Sequence, residues 1–211
     1  MDIIKKLAQE LAIKEEQAKA AVQLIDEGNT IPFIARYRKE MTGALNDETL
    51  RNLHERLLYL RNLEEKKEQV INAITDQGKM TEDLKKKILS AETLVAVDDL
   101  YRPYRPKKQT RATKAKEKGL EPLANILLLQ KTTKSMEEEA AAFVNAEKGV
   151  ANAKEAIAGA KDIIAEMIAD MADYRKSIRN CTMKQGSLVV KAKDEKAESV
   201  YEMYYDFREP L

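Results

Sequence analysis

A chain of 211 residues with 44% hydrophobic content can bury one large core or two small ones, and 35% charge with only 5% aromatics fits a mostly helical protein. Its uncharged apolar runs, such as Ile126–Leu129, are far too short to span a bilayer, and Met1 is followed by Asp2 and an amphipathic pattern, so neither a membrane partner nor a secretory leader is expected. One cysteine (Cys181) leaves no internal disulfide and suits the reducing cytoplasm, while one histidine (His54) leaves too few ligands for structural zinc.

Residues 2–11 place Ile3, Ile4, Leu7 and Leu11 on one helical face. Residues 14–27 repeat the pattern with Ala18, Ala21, Val22 and Ile25 before Gly28-Asn29. Pro32 suits a first helical turn, so IPFIARYRKE reads as a third helix. Two helices around a short Gly-containing turn give a helix-turn-helix-like element. A DNA-reading helix meets the bases through its N-terminal residues. Here those are Ile31, Pro32, Phe33 and Ile34, which read as core, and the candidate nucleic-acid contacts are the following Arg36, Arg38 and Lys39, partly offset by Glu40.

After a break at 41–44, Asn46 is placed to cap a long helix whose first turn carries Asp47 and Glu48. Its apolar positions run from Leu50 to Ile74, and it spans about 46 Å at 1.5 Å per residue. Glu64–Lys67 interrupts the stripe, which favours packing against two different neighbours over an extended coiled coil. Thr81 starts the next helix. Beyond the basic segment, Glu121-Pro122 restarts a helix, and Ser135 with Glu138 forms a capping box. The stretch 140–172 holds 12 alanines, suited to close helix packing. A helix around Ile163, Met167, Ile168 and Met171 reads as core-facing. Residues 187–193 alternate weakly and predict one short strand, and the aromatic tail 201–207 is expected to sit exposed. The fold class expected is all-α and multi-helical, with the long helix at its centre. Three regions are expected: 1–45 helix-turn-helix-like, 46–130 long helix and basic segment, and 131–211 Ala-rich.

Charge is distributed unevenly. Tyr101–Lys118 carries eight Lys or Arg against Glu117 alone, a sum of +7, whereas residues 1–100 (16 basic, 19 acidic) and 119–211 (13 and 16) each sum to −3. That is the electrostatic footprint of a phosphate-backbone binder; the plainer reading is a solvated basic loop. Pro103 and Pro106 predict a stiff, extended strap over 101–108. Tyr101 and Tyr104 alternate with its arginines, placed either to stack on bases or to pin the strap to the helical body. A helix is predicted from Thr110 to Gly119, with Arg111, Lys114 and Lys118 on one face. The candidate nucleic-acid contacts of this segment are Arg102, Arg105, Lys107, Lys108, Arg111 and Lys114.

The segment DDLYRPYRPKKQTRATKAKEKGLEPLA, with IPFIARYRKEMTGAL before it, resembles the bacterial Tex family of transcription accessory proteins; LRNLEEKKEQVINAITDQGKMTEDL and EAIAGAKDIIAEMIAD fit the same family. The resemblance covers essentially the whole chain. It implies the family's N-terminal helical region, which carries a helix-turn-helix-like element and precedes an RNase H-like domain, helix–hairpin–helix elements and an OB-fold RNA-binding domain; a chain truncated before those domains is expected. It also implies RNA or DNA as a sequence-independent partner, along with the transcription machinery and the family's own C-terminal domains.

Catalysis finds no support in the residues, which contain no Gly-rich phosphate loop, nucleophile elbow or His-containing triad. Neither enzymatic activity, nor a cofactor, nor a metal is expected. Adjacent Asp98 and Asp99 diverge by about 100° on a helix and read as neutralising partners for Arg102 or Arg105. Two functions remain: a nucleic-acid-binding scaffold, or an interaction module whose basic strap docks an acidic partner or the family's C-terminal domains.

Overall fold

Three short helices pack against one long one in the first part of the chain. In the computed structural model, which describes residues 2–106, 108–194 and 196–211, the chain divides into two units, Met1–Asp98 and Asp99–Leu211. The first holds α1 (Ile3–Glu10), α2 (Glu15–Asp26), α3 (Ile31–Tyr37), α4 (Asp47–Asp76) and α5 (Glu82–Ser90), and leads into α6 (Leu94–Tyr101).

The 30-residue α4 is the longest element described, and it starts where the sequence predicts: the Asn46 side chain accepts from the Thr49 N–H at 2.7 Å. Its buried Leu50, Leu53, Leu57 and Leu60 share one core with Leu7, Leu24 and Ile34. Farther along, Leu63, Val70 and Ile74 are also buried. Between Leu63 and Val70 sits Lys67, only 2% exposed, whose ammonium donates to Glu64 Oε1 and to the Leu89 carbonyl at the end of α5, both at 2.9 Å. A buried lysine is costly unless its donors are matched. Here the matching ties α4 to α5, which explains the break in the apolar stripe. On the outer side, Arg56 and Arg61 of α4 form bidentate pairs with Glu10 of α1 and Asp26 of α2. Half-exposed pairs of this kind contribute at most about 1 kcal/mol, so their main effect is to fix helix register.

Helix α3 ends at Tyr37, three residues short of the expected Glu40. The buried Thr42 turns its hydroxyl back onto the Arg38 and Lys39 carbonyls, and the Gln17 amide donates to the Thr42 and Gly43 carbonyls. Carbonyls that would serve a further helical turn are thereby capped. Burial departs from expectation too: of the four residues read as core, Ile34 is buried and Ile31 half-buried, but Pro32 and Phe33 are exposed, Phe33 at 37%; Tyr37 is 62% exposed.

In the second unit, a 3-10 turn (Arg102–Tyr104) precedes α7 (Arg111–Glu117), α8 (Glu121–Leu129), α9 (Met136–Ala141), α10 (Ala153–Asp170) and α11 (Ala172–Gln185). The Ser135–Glu138 capping box forms as its sequence predicts. Helix α10 packs on α7, α8 and α9. The core there is Ala112, Ala115, Leu120, Leu123, Ala156, Ala160 and Ile163, small side chains that let helix backbones approach closely. Ile163 is buried, but Met167 and Ile168 of α10 and the Met171 that follows it are exposed, contrary to the expected core-facing stripe, because the buried side chains of α10 end at Ile163 and its last turns meet the 102–111 segment through the acids Glu166 and Asp170 instead. The short strand appears as β1 (Ser187–Lys191). Its antiparallel partner β2 (Asp206–Pro210), in register Ser187↔Pro210 and Lys191↔Asp206, was not foreseen. Tyr201 and Tyr204 are exposed, as expected for the tail, whereas Tyr205 and Phe207 are half-buried.

Gly159 sits where α10 meets the α7–α8 corner. A Cβ there would lie 2.4 Å from Leu120 Cδ1 and 3.2 Å from Ala115 Cβ, and both neighbours are buried. Gly159→Ala is therefore expected to lower unfolding free energy by about 1–3 kcal/mol despite alanine's better helix propensity, as urea denaturation would measure.

Candidate nucleic-acid interface

The basic segment begins as helix rather than as an extended strap. Tyr101 has helical dihedrals (φ −77°, ψ −22°) and closes α6, and Arg102–Tyr104 continue as a 3-10 turn. Pro103 is tolerated because the N–H it lacks is unused in a first turn. Arg102 keeps a turn conformation before proline because its side chain is anchored, Nε donating to Asp170 Oδ1 at 2.8 Å. Only at Arg105, before Pro106, does the backbone become extended (ψ 139°). Tyr101 and Tyr104 are half-buried, and the Arg105 guanidinium lies 5.5 Å from the Tyr101 ring centre. Lys107 lies outside the described residues.

The predicted helix 110–119 forms as α7, with Thr110 accepting from the Thr113 N–H at 3.0 Å and Gly119 ending it at φ +81°. The segment is laced onto α10. Arg102 meets Asp170, the Thr110 hydroxyl donates to Glu166 at 2.8 Å, and Arg111 Nη2 lies 3.2 Å from Asp162. Asp162, Glu166 and Asp170 are spaced i, i+4, i+8, a single acidic ladder on one face of α10. At the far end Lys118 Nζ donates to the Gly149 carbonyl at 2.7 Å. Arg111, Lys114 and Lys118 do share a face, and with Gly149, Glu155 and Asp162 they line a shallow pocket of about 260 Å³. Among the described residues, neither Lys108 nor Lys114 has an ion-pair partner, and both are exposed.

Of the acid pair before the segment, Asp99 has partners other than the expected Arg102 or Arg105. Asp99, 6% exposed, accepts from Arg175 Nε and Arg179 Nη2, both at 2.6 Å, two arginines one turn apart on α11. Asp98 lies 3.8 Å from Lys66 of α4. Burial by itself would raise the Asp99 pKa, but the hydrogen bonds and charges of Arg175 and Arg179 outweigh it and hold the carboxyl below the ordinary aspartate range. The sequence signal that was missed is the i, i+4 arginine pair of α11.

The other predicted cations fall in the first unit. Arg36 is exposed on α3, Arg38 caps it with its guanidinium 5.3 Å over the Phe33 ring, and Lys39 follows in the turn. Among the described residues, no group of three His, Cys, Asp or Glu side chains is arranged to hold a metal ion, and no helix is long and apolar enough to cross a membrane.

The fold and site define a helical scaffold that displays a cationic ridge laced to an acidic helix. The chain belongs to the Tex-like family: the model of the Tex-like protein N-terminal domain matches residues 1–75, and that of the Tex central region matches residues 131–211. It is 46% identical over 208 residues to protein YhgF of Escherichia coli (97% of this chain, 27% of that protein). It is 42% identical over 214 residues to the transcriptional accessory protein Tex of Neisseria gonorrhoeae (100% of this chain, 28% of that one). A human relative named S1 RNA-binding domain-containing protein 1 is 32% identical over 186 residues (87% and 18%). The chain thus spans less than a third of the length of these relatives.

The Asp99 clasp has a defined pH dependence. A carboxyl whose folded pKa is depressed contributes stability above its unfolded pKa of about 3.9 and loses it as pH falls through the folded value. Asp99→Asn should cost about 1–2 kcal/mol at pH 7, the arginines being partly solvated. Denaturation curves of the two proteins should converge as pH drops below about 4.

Proposed function

We propose that this chain is the nucleic-acid-contacting scaffold of a Tex-like transcription accessory protein, acting in the cytoplasm without cofactor or turnover of its own. The observation that carries this reading is the ridge of exposed cations on and beside α7, where Lys108 and Lys114 have no acidic partner among the described residues and Arg111 and Lys118 flank them. Such cations gain most from a polyanion, whose phosphates release counterions on contact. The names of the N. gonorrhoeae and human relatives, a transcriptional accessory protein and an S1 RNA-binding domain protein, point the same way. Phosphate contacts position without specifying, so binding would be indifferent to sequence.

The α10 ladder favours a second reading. Arg102 and Arg111 already pair with carboxylates of their own chain, so the same surface suits an acidic protein partner, including the C-terminal domains of a full-length protein. Titration with labelled duplex at several salt concentrations separates the two. Under the first reading, four to six phosphate contacts give a log–log salt slope of about −4 to −5, with Kd about 10⁻⁴–10⁻⁶ M at physiological salt. Replacing Lys107, Lys108 and Arg111 together with Ala flattens the slope by about three units without loss of helical circular dichroism. If that variant binds duplex normally yet no longer associates with an acidic partner, the second reading holds.

Asp162→Asn gives an independent check. Removing the carboxylate that competes for Arg111 should tighten binding about 2–5-fold, the worth of one exposed ion pair, as fluorescence anisotropy would show.

A further inference from the structure

The aromatic residues of α3 are not core, and nothing in the strap accounts for them. Tyr37 is 62% and Phe33 37% exposed; their ring centres are 5.3 Å apart at 44°, one helical turn from each other. The Arg38 guanidinium stands 5.3 Å over the Phe33 ring. Arg36 and Lys39 flank the pair, and with Arg38 they outnumber Glu40 three to one. We infer that this patch is a stacking platform for single-stranded nucleic acid, in which one base lies on the open Tyr37 ring while Arg36 and Lys39 hold the adjoining phosphates.

Several features fit that ligand. An exposed aromatic face takes any base by stacking, but only where the base is not already stacked and paired in a duplex. Arg38 is pre-positioned by its contact with Phe33, so less side-chain freedom is lost on binding. Thr42 and Gln17 fix the turn that carries Arg38 and Lys39. The charge complements a polyanion, whereas an acidic peptide would use the cations and leave the rings unoccupied. The inference rests on the nucleic-acid reading above, but it places a second contact in the other unit and assigns it the unpaired strand.

The chain has no tryptophan, so Tyr37→Trp creates a lone reporter. With a 12-mer oligothymidylate its emission should be quenched, and with a duplex of equal length it should not. Tyr37→Ala should weaken single-strand binding about tenfold, within the range for one stacked base, while duplex affinity and salt slope stay unchanged; Tyr37→Phe should restore binding. Equal quenching by poly-glutamate would show a site for charge alone and overturn the inference. So would unaltered single-strand binding by Tyr37→Ala; if the Lys107, Lys108 and Arg111 triple variant still loses affinity, the strap reading survives that failure. Absence of any nucleic-acid binding by the unaltered chain would remove both.

Discussion

The second unit depends on the pairing of a cationic segment with an acidic helix face. Asp162, Glu166 and Asp170 receive Arg111, Thr110 and Arg102 in antiparallel order, so the chain from 102 to 111 is held at both ends. Without the ladder, eight cations within Tyr101–Lys118 would repel one another and oppose folding. With it, part of that charge is neutralised internally and the rest is displayed. Exposed pairs are individually weak, so an incoming anion would replace a carboxylate at one of these arginines for little net cost.

Among the described residues two charged side chains are buried, one in each unit, and each has a partner on another element. Lys67 binds Glu64 and the Leu89 carbonyl, and Asp99 binds Arg175 and Arg179. The ammonium accepts only the position in which a carbonyl faces it. Polar groups of this sort trade stability for a single arrangement of helices.

What the sequence revealed was local. The start of α4 at Asn46, the Ser135 capping box and the Gly119 terminus all follow from short-range chemistry, and each forms as the residues predict. What it concealed was tertiary. The turn that follows the early end of α3 is held by Gln17, a residue twenty-five positions from Thr42. Phe33 and Ile34 are adjacent and both apolar, yet only a neighbouring helix decides which of them is covered. The acids of α10 have a visible i, i+4, i+8 spacing, but no count of local charge pairs them with a segment some sixty residues away. Strand β2 (DFREP) carries two acids and a proline and gives no alternating signal; it is a strand because β1 lies beside it.

The absent side chain at Gly159 has a consequence for motion. With Leu120 in the place a Cβ would take and Ala115 close beside it, α7, the α8 start and the middle of α10 meet at close range. Leu120, Leu123 and Ile163 lie in one buried cluster shared by these helices. Amides across these three helices should accordingly exchange with solvent at one shared rate, as a single cooperative block, while the residues of β1 and β2 exchange on their own schedule.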